Sequence, residues 1–235
     1  MEWIIVAALA ALAAALVVKK KKLTPAAGLT GWLVALAIYM GTRYEGLAYL
    51  ALFFGSATWA TRHQRAAKAG VGNEAHTEIR QASQVLANGG VAALLGLAAW
   101  LLPQYNGLFA LLMAAGFASA TADTLSSELG TVYGRRFYNV VSWQPDTRGL
   151  DGVVSLEGTL IGAAGAVAVA GVYAVFRRVD AGCMIIALSG ILGNYIDSVL
   201  GATLERRRQL NNDMVNVLNT LGAVGIAFAL YAAFR

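Results

Sequence analysis

Three aspartates lie within or beside long apolar segments, where a charged side chain is costly. Asp123 and Asp197 lie inside the segments 109–129 and 184–204, and Asp213 opens a third such segment. Burying a carboxylate in hydrocarbon costs a few kcal/mol, so such groups usually face a polar cavity and have a function. Mg²⁺ binds carboxylate oxygens and keeps coordination sites open for substrate phosphates. We therefore expect a cation site that serves phosphate chemistry or transport.

The segment around Asp123 carries further polar groups at helical spacing. Asp123 and Ser127 are four residues apart, as are Thr124 and Glu128, which gives two adjoining polar stripes on a helix. Glu128 would lie about 7 Å closer to the membrane surface than Asp123. Serine and threonine alone could serve helix packing. The two carboxylates favour a functional site, with Glu128 as an additional metal ligand.

The two later segments continue the pattern. Asp197 is followed by Ser198, as an acid followed by a hydroxyl residue also occurs at Asp123. A structural role for Asp197, paired with an arginine, is the alternative. Asn212, Asn216 and Asn219 fall at i, i+4 and i+7, so they form a polar stripe that must face other helices or a wet cleft. Helix capping could explain the first asparagines but not the deeper ones.

Other polar groups are candidates for binding phosphates. Asn88 lies in 83–90, with one other amide and two glycines, at the predicted inner end of a membrane helix. The segment 151–159 combines glycine, hydroxyl groups and a helix start, and such a loop can present backbone N–H groups to phosphate oxygens. Close helix packing by its glycines is an equal alternative. The candidates in this segment are Gly152, Ser155, Gly158 and Thr159.

Nearby arginines could neutralise phosphate charge. Arg135 and Arg136 follow the segment that holds Asp123, and Arg148 and Arg206–Arg208 are also near the candidate segments. Guanidinium groups bind phosphate through two parallel hydrogen bonds. No histidine or lysine lies in a span as an obvious base. Transfer to an acceptor that is already anionic needs positioning and charge neutralisation more than a base.

The elements that must position these residues are membrane helices. The chain has 235 residues, 58% hydrophobic and 13% charged, and a soluble domain would carry roughly twice that charge. Its apolar blocks are long enough to cross a bilayer, which needs about 20 residues each. We predict an all-α polytopic helix bundle, a single membrane domain over 1–235, with about eight spans; seven is the alternative count. The predicted spans are 3–18, 24–40, 46–61, 84–102, 107–130, 157–176, 181–204 and 213–234.

Charge distribution gives the orientation. With eight spans and the N-terminus outside, 14 of the 18 Lys and Arg residues fall on the inner side, as the positive-inside rule requires. The inner loops are then 62–83, 131–156 and 205–212, and the site faces the cytoplasm, which we expect to be that of a prokaryotic cell. The net charge of +5 does not indicate nucleic-acid binding, since attraction to anionic lipid explains part of it.

Several strings together resemble a known family. It is the family of integral membrane proteins that includes the plant phytyl-phosphate kinase and the animal transmembrane protein nineteen. The resemblance covers roughly residues 24 to 234, and the string from Asp123 to Gly130 is its most specific part. The chain departs from the family pattern within the string 148–155 and at Glu205. The matching strings are 84–89, 120–130, 152–155 with 158–159, 197–202 and 212–219.

The resemblance implies a kinase that uses CTP or another nucleoside triphosphate to convert a prenyl monophosphate to the diphosphate. One or two Mg²⁺ ions would be held by Asp123, Asp197 and Asp213, and the loop at 151–159 would hold the donor. Asn88, Asn212 and Asn216 would orient phosphates or metal-bound waters. Two alternatives stay open: a lipid-phosphate cytidylyltransferase, and a secondary transporter whose buried carboxylates carry protons or cations.

Overall fold

The structure is a computed structural model that describes residues 1–69, 71 and 79–234. Residues 70 and 72–78 of the predicted inner loop 62–83 lie outside the described residues. The helices are α1 (Glu2–Lys19), α2 (Pro25–Arg62), α3 (Arg65–Lys68), α4 (Ala82–Leu101), α5 (Asn106–Tyr133), α6 (Leu156–Phe176), α7 (Ala181–Leu200) and α8 (Asn212–Ala233). A 3₁₀ turn covers Pro103–Tyr105, a π-helical turn covers Gly201–Glu205, and the strands are β1 (Tyr138–Asn139) and β2 (Val153–Val154).

The predicted all-α polytopic bundle is confirmed. Among the described residues, seven helices are long and apolar enough to cross a membrane. The two strands form a small antiparallel hairpin in which Tyr138 lies opposite Val154. Three of the later spans begin at or near the predicted residues because side chains cap them. Ser155, Asp180 and Asn211 each accept a hydrogen bond from a backbone N–H in the first turn of the following helix.

Helix α2 consists of two helical halves joined at a reversal of the chain. Its backbone leaves helical geometry at Arg43 (φ 56°, ψ −136°). At this reversal Gly46 packs against Ile38, eight residues earlier, which a straight helix would place about 12 Å away. At the start of α2 the N–H of Thr24 donates to the carbonyl of Arg80. Near the end of α2 Thr61 donates to Glu128 of α5, so both ends of α2 lie at the same end of the bundle. The predicted spans 24–40 and 46–61 are therefore the two antiparallel halves of α2.

Helix α5 is the centre of the bundle. It is the most buried of the spans, and it packs against α2, α4, α6, α7 and α8. Small residues allow this close packing. Gly162 and Gly165 of α6 lie against the α5 backbone, and Gly190 and Gly193 of α7 lie against Ala118 and Ser119. Helix α1 is peripheral and is the least buried span.

The bundle has two distinct ends. We call the end that carries the connections 62–81, 134–155 and 201–211 the loop face. The opposite face carries the reversal at Arg43 and the short connections 102–105 and 177–180. The described Lys and Arg residues of the loop face outnumber those of the opposite face, as the charge count predicted. The assignment of the loop face to the cytoplasm stays a prediction.

A buried ion pair fixes the opposite face. Arg177, after α6, contacts the Glu45 carboxylate at 2.8 Å and also donates to Asn106 at 2.9 Å. Tyr49 donates to the other oxygen of Glu45, and Asn106 donates to the carbonyl of Gly41. Since Glu45 and Gly41 flank the reversal, these contacts join both halves of α2 to α5 and α6.

We expect Arg177→Ala to destabilise the bundle, because it leaves the Glu45 carboxylate, 6% exposed, without its cation. Removing one partner of a buried pair costs about 3 kcal/mol or more, and the partial exposure of Arg177 favours the low end. Denaturant unfolding in detergent would measure this loss. Arg178→Ala is the control, because Arg178 pairs with Asp180 while 81% exposed and should lose about 1 kcal/mol or less. Equal losses for both variants would contradict a buried role for Arg177.

Candidate functional site

A cavity of about 490 Å³ opens on the loop face. Its walls come from α2, α4, α5, α7, the start of α8 and the segment 137–159. Most of the predicted site residues line it. They are Asn88, Asp123, Thr124, Ser127, Glu128, Gly152, Ser155, Gly158, Thr159, Asp197, Ser198, Asn212 and Asn216.

The structure brings Asp123 and Asp197 together within this cavity. Their carboxyl groups lie close enough to interact directly, although they come from different spans. Asn219 of α8, which is fully buried, donates to the Asp197 carboxylate at 2.7 Å. Ser119 in turn donates to the Asn219 side chain at 3.1 Å. The Asp197 side chain is thus oriented by α8 and α5, and Asn219 acts behind the cavity wall, not on its surface.

Asp213 is not brought into this cluster. It lies in the first turn of α8, and the described cavity wall contains Asn212 and Asn216 instead. The reason is helical phase: successive residues are rotated by about 100°, so the face that carries Asn212 and Asn216 turns Asp213 aside. Nor do three or more Asp, Glu, His or Cys side chains group into a metal site anywhere in the described chain. The expected four-carboxylate cluster therefore reduces to the pair Asp123–Asp197.

Glu128 is engaged by a buried lysine. Lys68 of the short helix α3 lies 2.6 Å from one Glu128 oxygen, and Thr61 donates to the other at 2.8 Å. Lys68 is 6% exposed and also donates to the carbonyls of Ala60 and Thr61. Because both oxygens of Glu128 accept hydrogen bonds from the protein, the predicted role as an additional metal ligand is not supported by its surroundings.

The cations at the cavity differ from those predicted. Arg135 and Arg136 do not line it: both are exposed, and Arg135 reaches Glu157 only at 4.0 Å with its side chain 88% exposed. Among the described residues, four other basic side chains line the cavity. They are Lys22, Arg62, Lys68 and Arg80. In the sequence these residues contribute only to the charge of the loops, since their spacing does not indicate that they face the aspartates.

Asn88 places an unpaired acceptor in the cavity wall. Its side-chain NH₂ group donates to the carbonyl of Gln84 one turn earlier in α4. Its Oδ1 atom is buried and has no hydrogen-bond partner within the described residues. An unsatisfied buried oxygen is costly, so this atom is suited to a bound ligand or a metal-bound water.

The segment 151–159 is built for packing as well as for binding. Ser155 caps α6 by accepting from the N–H of Gly158, and Gly158 lies against the backbone of Gly130 and Ser126 in α5. Gly152 has a positive φ of 69° and touches the backbone of Ala202 in the π-helical turn. Both alternatives for this segment therefore have support, because the same residues line the cavity and pack against helices.

Arg206 holds this segment against α7. Its guanidinium donates to the carbonyl of Asp151 at 2.6 Å and pairs with Asp146 at 2.8 Å. The N–H of Thr147 and the Arg206 guanidinium both donate to Asp146 and thereby lower the pKa of its carboxyl group. We call residues 138–154, which include the β-hairpin and these contacts, the cavity flap.

The fold and site define a polytopic membrane protein with a charged cavity at one membrane face and two carboxyl groups in contact inside it. The chain belongs to the family described as integral membrane protein DUF92, whose model matches residues 8–224. No solved structure matches the chain.

Relatives are found in bacteria, plants and archaea. An uncharacterized membrane protein of Synechocystis sp. is 34% identical over 230 residues, covering 96% of this chain and 87% of that protein. Protein VTE6, chloroplastic, of Arabidopsis thaliana is 32% identical over 134 residues, covering 51% of this chain and 38% of that protein. An uncharacterized membrane protein of Methanocaldococcus jannaschii is 32% identical over 155 residues, covering 63% of this chain and 61% of that protein.

We expect Gly152→Ala to detach the cavity flap. The added methyl group would lie about 2.3–2.5 Å from Ala202 atoms, and the positive φ adds about 1 kcal/mol of strain. Hydrogen exchange of 138–154 should accelerate. Gly171→Ala in α6 is the control, because nothing lies within 4 Å of its new methyl group. Unchanged exchange in the Gly152 variant would show that the flap does not depend on this contact.

The Asp146–Arg206 pair predicts a pH dependence. Because the folded pKa of Asp146 is lowered, its stabilisation is complete above the ordinary aspartate pKa of about 3.9 and is lost as pH falls through the folded value. Hydrogen exchange of the flap, corrected for intrinsic rates, should rise on acidification. Asp146→Asn should exchange faster than the parent at pH 7, and the difference should shrink at low pH. A constant difference would exclude Asp146 as the titrating group.

Proposed function

We propose that this protein is a membrane prenyl-phosphate kinase that transfers the terminal phosphoryl group of CTP or another nucleoside triphosphate to a prenyl monophosphate. The observation that carries the proposal is the contact between Asp123 and Asp197 inside a cavity that also holds basic side chains. Acids for a divalent cation and cations for phosphate oxygens are the parts that phosphoryl transfer requires. The resemblance to the phytyl-phosphate kinase family supports the lipid substrate.

The residues present fit a Mg²⁺ ion. Mg²⁺ is usually bound by one or two carboxylates together with waters and substrate phosphates, so Asp123 and Asp197 suffice without a closed protein cage. Two carboxylates in contact repel each other unless a proton or a cation neutralises them. The unpaired Oδ1 of Asn88 is suited to accept from a metal-bound water. When bound, Mg²⁺ neutralises charge on the phosphates and holds donor and acceptor together.

The side chains of this chain act by positioning and by charge neutralisation. A prenyl monophosphate near neutral pH is largely dianionic, so its oxygen attacks the terminal phosphorus without losing a proton to a base. The bond to the bridging oxygen of the triphosphate breaks, a new P–O bond forms on the lipid phosphate, and the nucleoside diphosphate leaves. Basic side chains at the cavity offset the charge that both substrates bring.

The loop face is the side from which nucleotide would enter. Lys and Arg residues are concentrated there, which the positive-inside rule assigns to the cytoplasm. We propose the same orientation for the active site, in a prokaryotic plasma membrane. Nucleoside triphosphates would then reach the cavity by diffusion, while the prenyl chain would enter from the bilayer.

A transfer assay tests the proposal. Protein purified in detergent receives Mg²⁺, geranylgeranyl phosphate or phytyl phosphate, and CTP or ATP labelled on the terminal phosphate. We expect a labelled prenyl diphosphate, identified by product mass. Release of pyrophosphate with CMP retained on the lipid would instead identify a cytidylyltransferase. Absence of product with every nucleotide and several chain lengths, together with ion-driven uptake in proteoliposomes, would favour the transporter.

We expect Asp123→Asn and Asp197→Asn each to reduce turnover by about 100-fold or more, because each removes charge from the pair that would hold the cation. Asp213→Asn should have a much smaller effect, since Asp213 lies outside the described cavity wall. The measurement is the initial rate of diphosphate formation by each variant. Each variant should first be shown to express normally and to elute as a monodisperse protein. An equal loss of turnover in the Asp213 variant would show that Asp213 also belongs to the site.

A further inference from the structure

Arg80 is held in the cavity by its backbone. The chain before α4 forms a parallel bridge with the chain before α2, in which Arg80 donates to the Lys22 carbonyl at 3.0 Å. Thr24 donates to the Arg80 carbonyl at 3.1 Å and also caps α2. Two spans therefore fix the position from which the Arg80 side chain enters the cavity, and Lys22 lines the same wall.

Among the described residues, the Arg80 guanidinium has aromatic neighbours but no carboxylate partner. It lies 5.9 Å from the ring centre of Phe53 and 5.8 Å from that of Phe54. Within the described residues, no carboxylate oxygen comes within ion-pair distance of it. Burial lowers the pKa of Arg80, while the more distant charge of Glu128 acts in the opposite direction. A partly buried guanidinium that none of the described carboxylates pairs with is costly and is suited to bind an anionic ligand.

Contacts between α2 and α5 bracket the depth of this guanidinium. Phe53, under Arg80, packs on Phe117 of α5, and Thr61 two turns later in α2 donates to Glu128. Asp123 lies between Phe117 and Glu128 along α5. A phosphate held against Arg80 would therefore lie at about the level of the carboxyl pair.

The two sides of the cavity differ in chemistry. Beside Arg80 the wall is the second half of α2, with Phe53, Phe54 and Thr58 in the membrane-spanning part, and α4 adds the amides of Gln84 and Asn88. On the other side most of the polar groups are amides and a hydroxyl of α7 and α8, with Tyr195 and Trp143 as aromatic neighbours; the polar residues are Asn194, Ser198, Asn212 and Asn216. An apolar chain is stabilised beside aromatic rings and is disfavoured where it would desolvate amides. Those amides can donate and accept hydrogen bonds, which suits the sugar and base of a nucleotide.

We propose that Arg80, assisted by Lys22, binds the phosphate of the lipid acceptor, with the first part of its apolar chain against Phe53 and Phe54. The nucleotide then occupies the side formed by α7, α8 and the cavity flap. This assignment rests on the proposed function and goes beyond it, because it specifies which end of the cavity takes which substrate.

Steady-state kinetics of Arg80→Met test the assignment. Loss of a charge-assisted hydrogen-bond pair should raise KM for geranylgeranyl phosphate by at least about tenfold, with KM for the nucleotide changed less than about twofold. Arg80→Lys keeps the charge but loses the bidentate geometry, so its KM for geranylgeranyl phosphate should lie between those of the parent and of Arg80→Met. Lys22→Met should raise the same KM more weakly. Lys20→Met, an exposed residue of the same basic run outside the described cavity wall, should match the parent.

A binding measurement without turnover separates failure of this assignment from failure of the kinase proposal. Geranylgeranyl phosphate should raise the thermal unfolding midpoint of the parent more than geranylgeraniol does, and Arg80→Met should remove that difference. A raised nucleotide KM alone would assign Arg80 to the donor, and unchanged constants would exclude it from both substrates; either result overturns the assignment. If the parent makes no diphosphate, the kinase proposal fails, and the binding comparison still decides whether Arg80 recognises a lipid phosphate.

Discussion

Two carboxyl groups in contact within a membrane bundle are the constraint on which the rest of this structure depends. Asp123 and Asp197 come from different spans, and each would be costly in hydrocarbon even alone. Their contact is tolerable only in a polar cavity and with a neutralising proton or cation. The surroundings provide such a cavity, and Asn219 and Ser119 fix the orientation of Asp197 from behind. The fold therefore keeps two acidic side chains at a position where apolar side chains would be more stable.

The remainder of the bundle supports this site from a distance. Central α5 brings Asp123 to the cavity, and glycines on α6 and α7 allow those helices to approach it closely. On the opposite face the Glu45–Arg177 pair joins the reversal of α2 to α6, so both halves of α2 are held against α5. On the loop face Arg206 fastens the cavity flap to the end of α7. Rigid packing at one end thus accompanies a solvent-accessible cavity at the other.

Sequence patterns predicted the bundle and the pairing of Asp123 with Asp197, because apolar length and buried charge are properties of single segments. They did not decide the phase of α8, where stripes through Asn212 or through Asp213 both satisfy helical spacing. They also did not find Lys68 and Arg80. Both residues lie in connections. Arg80 is placed by a backbone bridge to Leu23 and Lys68 by a short helix, and such tertiary contacts have no periodic signature in the sequence.

Binding of Mn²⁺, a spectroscopically visible substitute for Mg²⁺, tests the role of the carboxyl pair most directly. Electron paramagnetic resonance would count ions bound to the purified protein in the presence of a prenyl monophosphate. We expect saturable Mn²⁺ binding to the parent protein and loss of that binding when Asp123 and Asp197 are both replaced by asparagine, with the fold retained. Equal Mn²⁺ binding by the parent and the double variant would contradict it.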